Sequence, residues 1–583
     1  MNPAIAQGLD CGYLDRADAA LGAWVARAFP DAAPEAALAA ALAARAVDDG
    51  HSALELAHAQ AWLGGFAAYG EPPALPEPSA WVDALRASAG ACAVAGDAAA
   101  MARTPLVLDA QGRVYLRRYF EYERRLAAAL VRRARVEIPA PRDSRDIGAA
   151  MDDGVDPGQR RAVAIALSRR LALVTGGPGT GKTHTVARIL DALLRQAAAA
   201  GAELRIALAA PTGKAAARLR ESVLAQAGRL GLPGTLAAQV AANAGTVHKL
   251  IGLSPWRAEP RFDAASPLPF DVVIVDEVSM IDLPLMAKLI DAVPETARLV
   301  LLGDPGQLAA VEAGNVLGAM VDAAGEPPLR DCHAALTRSH RFDAGSSLGA
   351  LAAAITQGDA EAALGVLAAG GASTLVDAPQ PARLLEAAVA GYRAVLDADD
   401  PGGALRAMRG FRVLTALRHG PAGCTAIDAA IAGRLQRALG VRADAAWWRG
   451  RLVLVTANRP ELGLFNGDTG VAWPDAGGDM KLWFDGQDGA PRALGIAALP
   501  PFEGAFALTV HKAQGSEFDR VLFVTGPESA VLTRELLYTG VTRARERLDV
   551  YGAEATLRAG IARRTLRMTG LADRMREAVP GMP

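Results

Sequence analysis

Hydrophobic positions along the chain follow two kinds of pattern. Up to about residue 105 they recur at helical spacing in alanine-rich runs such as APEAALAAALAARAVDDGHSALELA, which predicts helices, with a proline-rich break, EPPALPEPSAW, near residue 75. TPLVLDAQGRVYLRRYFEYERRLAAALVRRA predicts two strands turning at DAQGR and then a basic helix. IPAPRDSRDIGAAMDDGVDPGQ reads as a linker. From Arg160 the pattern changes. Short apolar runs (LALVTG, RIALAAP, DVVIVDE, ARLVLLGD) alternate with helical stretches, which predicts a parallel sheet covered by helices on both faces. A second set follows in FRVLTAL, FALTVHKAQ, RVLFVTG and RLDVYG. Between its members, WWRGRLVLVTANRPELGLFNGDTGVAWPDAGGDMKLWF has no helical period and carries Asn-Gly, Gly-Asp and Gly-Gly turns, which predicts a small inserted β-barrel. The expected units are therefore a mostly helical one over 1–140 and an α/β domain over 150–335. A second α/β domain over 336–445 and 503–575 is split by the barrel at 446–502.

Composition narrows this picture. A chain of 583 residues exceeds one core, so three or four domains are expected. Its 51% hydrophobic and 21% charged content is that of folded protein, and a net charge of −2 means that any nucleic-acid binding must be local. Cys11, Cys92, Cys332 and Cys424 lack metal-ligand spacing and read as thiols in a reducing compartment. No basic n-region with an apolar h-region and no membrane-length apolar run is seen, so the expectation is a cytoplasmic protein without membrane contact. Only six of the 61 basic residues are lysines (Lys182, Lys214, Lys249, Lys288, Lys481, Lys512), and four of them fall in the motifs below. A lysine among so many arginines marks places where a compact point charge is needed, unless the six are chance survivors.

GGPGTGKT, from Gly176 through Gly177, Pro178, Gly179, Thr180, Gly181 and Lys182 to Thr183, with His184 next and also placed at the nucleotide, follows an apolar strand and opens a helix from Lys182. Its glycines let backbone N–H groups close around phosphate oxygens, and the helix N-terminus adds its dipole. Lys182 is expected at the β- and γ-phosphates and Thr183 on Mg²⁺. FDVVIVDEVSM puts Asp276 and Glu277 at the C-terminal end of a buried strand, where Asp276 can hold Mg²⁺ and Glu277 can polarise the attacking water. The cofactors implied are ATP and Mg²⁺. Gln307, in GDPGQ after the next strand, is placed as a γ-phosphate sensor, and Gln159, in DPGQRRAV, as a reader of the adenine edge. Arg341 in LTRSHRFD and Arg543 in YTGVTRAR are candidate fingers that reach a γ-phosphate across a domain cleft. Taken singly, each of these four would more often be a surface residue; placement around the nucleotide strand raises the two glutamines, and the two arginines are raised only by the resemblance given below.

The order DPGQRRAV, GGPGTGKT, APTGKAAARL, TVHKLIG, VVIVDEVSM, LLGDPGQLAAVEAG, LTRSHRF, LTVHKAQGSEFDRV, YTGVTRAR resembles the motif series of superfamily 1 helicases over about residues 156–555. TVHKLIG, LFNGDTG and HKAQGSEFD resemble the RecD branch, whose members move 5′→3′ on single-stranded DNA. The resemblance implies an α/β fold with two RecA-like P-loop motor domains, an SH3-like inserted barrel and a helical N-terminal domain. It gives Gln159, Lys182, Thr183, Asp276, Glu277, Gln307, Arg341 and Arg543 the roles stated above. It also implies DNA contacts from Pro211, Thr212, Gly213, Lys214, Thr246, His248, Lys249, Asn466, Thr509, His511 and Lys512. The two TVHK strings, at 246–249 and 509–512, put the same small polar and cationic chemistry on each α/β domain, as stepping along a strand requires.

Within the branch one type works alone and the other is the α subunit of exodeoxyribonuclease V. LDRADAALGAWVA, AALAAALAARAVDDGHSALEL and TPLVLDAQGRVYLRRYFEYERRLA are similar to the N-terminal region of the subunit type. This implies RecB and RecC as partners in a heterotrimer that acts on DNA ends, single- and double-stranded. The alternatives are a stand-alone 5′→3′ helicase and, in another class, a nucleotide-regulated interaction subunit that does not translocate. No nuclease signature is seen, so any exonuclease activity is expected from another subunit.

Overall fold

The computed structural model describes residues 2–65, 71–139, 156–230, 234–254, 257, 259–339, 346–376, 381–486 and 490–579. In the N-terminal region, helices Pro3–Asp10, Arg16–Ala28 and Pro34–Asp48 pack through their alanine and leucine faces. The region is mostly helical, as expected, and it also holds a small sheet. Strands β1 (Leu54–Glu55), β2 (Cys92–Val94), β3 (Leu106–Leu108) and β4 (Arg113–Leu116) form it in the order β1-β4-β3-β2. Strands of two to four residues, paired with partners up to sixty positions away, leave little period-2 pattern to read. The β3–β4 hairpin does fall where the sequence predicts it. Asp109 Oδ1 accepts from the N–H of Gln111 and of Arg113, and Gly112 supplies the left-handed turn residue at φ 76°.

The basic helix also forms, over Arg117–Arg135. Its apolar face (Leu126, Ala127, Leu130, Val131, Ala134) joins the core of the following α/β domain. Six strands build that domain's sheet: β5 (Leu171–Gly176), β6 (Ile206–Ala210), β7 (Ala244–Thr246), β8 (Val272–Val275), β9 (Arg298–Gly303) and β10 (His333–Leu336). They run in the order β10-β5-β9-β8-β6-β7, and every pairing is parallel. Alternation along the strands divides the core into two layers. Ala172, Val174, Ile274 and Val300 fill one face, and Leu171, Leu173, Val273 and Leu299 fill the other.

The second lobe begins with β11 (Ser373–Val376) and β12 (Phe411–Thr415). Five strands then intervene: β13 (Leu452–Val455), β14 (Thr469–Pro474), β15 (Met480–Asp485), β16 (Pro491–Gly495) and β17 (Phe502–Gly504). They form an antiparallel sheet in the order β16-β15-β14-β13-β17 with its own small core. The lobe resumes with β18 (Ala507–Thr509), β19 (Phe518–Val524) and β20 (Ala544–Tyr551), which complete a parallel sheet ordered β11-β20-β19-β12-β18.

The chain then returns to its beginning. Met568 O accepts from Ser52 N at 3.0 Å, and Met568 N donates to His51 Nδ1 at 3.0 Å. Thr569 Oγ1 and Gly570 N donate to the buried Glu123 carboxylate of the basic helix. Helix Leu571–Glu577 adds Leu571 and Met575 to the first lobe's core. The N-terminal unit, the first lobe and the C-terminal segment are thus tied together.

Candidate nucleotide site and nucleic-acid interface

β5 ends at Gly176 and the helix Lys182–Ala199 begins six residues later, so the loop between them must turn tightly. Gly179 (φ 76°) and Gly181 (φ 83°) make that turn in the left-handed region, where a Cβ would be strained. Thr180 Oγ1 donates to Gly177 O at 2.8 Å and braces the loop from inside. Lys182 Nζ donates to Gly176 O at 2.6 Å and Gly177 O at 3.1 Å, so the ammonium lies within the loop's curve. Thr183 and His184 are half-buried, and His184 Nδ1 accepts from Arg188 Nε at 3.4 Å. Gln159 is buried in the first turn of the preceding helix, Pro157–Ser168, which Asp156 caps.

Asp276 and Glu277 follow β8 directly. Burial, then the neighbouring Glu277, push the Asp276 carboxyl up to about 6, while Lys182 acts in the opposite direction. Among the described residues, none donates a hydrogen bond to the buried Glu277 Oε2. Among the described residues, Glu277 alone of the non-glycines has a positive φ, 54°, a conformation that costs on the order of 1–2 kcal/mol. Crowded carboxylates, an unpartnered oxygen and a lysine close enough to act on them suit a Mg²⁺–triphosphate.

Asp304 directly follows β9 and organises Gln307. Its Oδ1 accepts from Gly306 N, and its Oδ2 accepts from Gln307 Nε2 at 3.0 Å and from the Tyr538 hydroxyl at 3.1 Å. Tyr538 belongs to the helix Arg534–Val541 of the second lobe. Leu308 sits in the second lobe's core; its N–H donates to Thr539 Oγ1 and its carbonyl accepts from Gln514 Nε2. Asp304, Gln514, Tyr538 and Thr539 carry no signal of their own in the sequence. They stand inside quoted motifs, but nothing in a linear string pairs residues more than two hundred positions apart.

Of the two candidate fingers, Arg341 lies outside the described residues. Two positions before it, Ser339 Oγ donates to Pro178 O of the phosphate loop at 3.4 Å. Arg543 is buried in the second lobe. Its guanidinium donates to Thr539 O and Ser516 O, each at 3.0 Å, and to Thr542 Oγ1 at 3.4 Å.

The two TVHK strings fold alike. β7 and β18 are each an edge strand of their sheet, beside β6 and β12 respectively. Each ends in a threonine whose Oγ1 caps the next turn, Thr246 accepting from Lys249 N at 3.2 Å and Thr509 from Lys512 N at 3.4 Å. His248 and Lys249 are exposed, Thr246 is half-buried and Thr509 is buried. Lys512 Nζ pairs with Glu503 Oε2 at 2.5 Å. Burial, then Arg567, hold His511 below its usual value.

Pro211, Thr212, Gly213 and Lys214 lead from β6 into a helix, with Thr212 Oγ1 accepting from Ala215 N. This turn meets the insert, because Phe465 of LFNGD packs on Gly213. Burial first, then Arg218 and Arg412, push Lys214 down to about 8 against the pull of Asp468. Asn466 is exposed, its N–H donating to Asn458 Oδ1. Arg218 reaches across to Gly515 O in the second lobe.

A phosphate loop at the end of one parallel sheet, faced by a helix of a second parallel-sheet lobe, defines a two-lobed P-loop nucleotide hydrolase. Residues 159–313 match the AAA domain family, residues 504–551 the UvrD-like helicase C-terminal domain, and residues 10–115 the N-terminal domain of the RecBCD enzyme subunit RecD. The chain is 41% identical to the RecBCD enzyme subunit RecD of Mycolicibacterium smegmatis, over 94% of this chain and 95% of that one. It is 35% identical to the RecD subunit of Haemophilus influenzae over 71% of each chain. The ATP-dependent RecD2 DNA helicase of Deinococcus radiodurans is 32% identical over 80% of this chain but 59% of its own length. The chain belongs to the RecD family.

Proposed function

We propose that the chain is the ATP-dependent 5′→3′ single-stranded-DNA translocase and helicase subunit of a RecBCD-type exodeoxyribonuclease V, acting on DNA ends in double-strand-break repair and recombination. One observation carries the motor reading: the segment that holds Gln307 at the end of β9 is seated in the second lobe through Leu308, Tyr538, Thr539 and Gln514. A phosphate site built this way registers the position of the other lobe.

When bound, ATP supplies the phosphoanhydride bond and Mg²⁺ the charge that steadies its γ-phosphate. Gly176 to Thr183 and His184 bind the nucleotide, with Lys182 at the β- and γ-phosphates, Thr183 and Asp276 toward the metal, and Gln159 at the base. Glu277 orients the attacking water. Gln307, Arg341 and Arg543 contact the γ-phosphate. Arg543 must first leave Thr539 O, Ser516 O and Thr542 Oγ1, which ties its engagement to lobe movement. Pro211 to Lys214, Thr246, His248 and Lys249 hold the strand from the first lobe, and Asn466, Thr509, His511 and Lys512 from the second. Residues 446–502 act as an SH3-like barrel between two segments of one RecA-like lobe, and residues 1–140 as the unit that docks on RecB and RecC.

Coverage of 95% and 71% of two curated RecD subunits, against 59% of the RecD2 helicase, favours the subunit over the stand-alone reading. Among the described residues no helix is long and apolar enough to cross a membrane, and the chain is read as working in the cytoplasm. The test is single-stranded-DNA-stimulated ATP hydrolysis together with co-purification of RecB and RecC homologues. A chain that unwinds DNA at full rate as a monomer, with neither partner bound, contradicts the subunit assignment.

A further inference from the structure

Tyr538 occupies a slot made for it. On one side a Cβ on Gly177, in the phosphate loop, would stand 2.8 Å from the tyrosine hydroxyl; on the other a Cβ on Gly306 would stand 3.2 Å from its Cε1. Two glycines from separate loops of the first lobe thus leave room for one ring from the second. At the end of the slot the hydroxyl donates to Asp304 Oδ2, the same oxygen that accepts from Gln307 Nε2. Asp304 is 3% exposed, so solvent does not stand in for those donors. The contact is also anchored at its far end, since Leu308 N–H donates to Thr539, the next residue on the same helix.

We propose that Tyr538 is a positioning residue for ATP hydrolysis: through Asp304 it fixes the Gln307 amide, so that seating of the second lobe sets the alignment of the γ-phosphate sensor. A second input enters from the nucleic-acid side. Gln514, two residues after Lys512 of the second TVHK string, donates to Leu308 O at 3.2 Å. A shift of the strand-holding turn therefore moves the backbone next to Gln307. This inference rests on reading Gln307 as the sensor and the chain as a DNA-dependent ATPase.

A coupling claim needs a coupling measurement. Tyr538→Phe keeps the ring between the two glycines and removes only the hydroxyl. In the full-length chain with ATP, Mg²⁺ and oligo-dT, it is expected to lower kcat by about tenfold while leaving KM for ATP within about twofold. If Tyr538 acts through Gln307, adding Tyr538→Phe to Gln307→Ala lowers kcat no further than Gln307→Ala alone. Multiplying effects, or a Tyr538→Phe kcat within twofold of wild type, overturn the proposal. Should Tyr538→Phe lose its cooperative thermal transition, Gln514→Met, which deletes the donor to Leu308 O from a half-buried position, goes through the same cycle with the same criteria. Wild-type chain whose ATP hydrolysis ignores oligo-dT overturns the motor reading itself. Wild-type stimulation combined with multiplying effects overturns the coupling alone.

Discussion

Phe465 lies so close over Gly213 that a methyl group built on the glycine would stand 2.6 Å from the ring's Cγ. The first lobe's PTGK turn is thereby pressed against the insert of the second lobe. Gly213→Ala sets two effects against each other. Alanine at a helix start gains up to about 1 kcal/mol over glycine, whereas overpacking costs roughly 1–3 kcal/mol. The clash is expected to win, so Gly213→Ala lowers stability by about 1 kcal/mol or more. With Phe465→Ala present, the same change is expected to turn neutral or stabilising. Thermal unfolding of the four proteins checks this; a sign that does not reverse removes Phe465 as the cause.

Lys182→Gln takes one fixed positive charge from the phosphate loop and leaves a side chain of similar length. Loss of a single charge-stabilising donor costs about 100-fold or more in turnover, so ATP hydrolysis by the chain is expected to become undetectable above background. In the native fold the ammonium meets two loop carbonyls, each net bond contributing about 1 kcal/mol. The thermal midpoint should therefore move by only a few degrees. Substantial residual hydrolysis by the folded variant contradicts the placement of the phosphates.

Glu277 combines a left-handed backbone with a buried carboxylate oxygen to which no described residue donates a hydrogen bond. Both are unfavourable in the folded chain, which marks a residue kept for chemistry rather than stability. Glu277→Gly relieves the backbone and removes the buried oxygen, at an unfolded-chain entropy cost of about 0.5–1 kcal/mol. The expected result is a fold as stable as wild type or up to about 2 kcal/mol more stable, with ATP hydrolysis reduced by about 100-fold or more. Denaturant unfolding alongside ATPase rates decides it. A destabilised variant contradicts the strain argument, and an active one contradicts the role given to Glu277.

The parallel sheets were legible in the sequence because β5, β8 and β9 are continuous apolar runs buried on both faces, ending in recognisable polar motifs. The β3–β4 hairpin was legible from its turn residues. The N-terminal sheet was not, since Cys92–Val94 and Leu54–Glu55 are too short to carry a period. At the candidate site the pattern picked out residues by kind and motif, such as Lys182, Asp276 and Gln307. It could not find Tyr538 and Asp304, whose importance comes from meeting across a cleft. Nor could it orient Arg543, a chemically apt arginine whose buried guanidinium is satisfied by carbonyls within its own lobe.

His51 gives acid sensitivity to the join between the N-terminal sheet and the C-terminal segment. It is 5% exposed and its Nδ1 accepts from Met568 N, so the ring must be neutral there. Burial, then Arg567, push it down to about 4 from an ordinary 6.5. Between those values the unfolded chain binds the proton and the folded one does not, so stability falls as pH falls. The contribution is complete above about pH 6.5, is lost progressively toward about pH 4, and amounts to at most roughly 3 kcal/mol. Glu123, whose carboxyl burial pushes up, works in the opposite direction on acidification, so the raw profile mixes the two. His51→Asn keeps an acceptor near the Nδ1 position and cannot titrate. Its urea-unfolding free energy is therefore expected to drop less than that of wild type between pH 7 and pH 4.5. Parallel profiles for the two proteins would show that the histidine is protonated without cost, and that the Met568 contact does not hold the C-terminal segment in place.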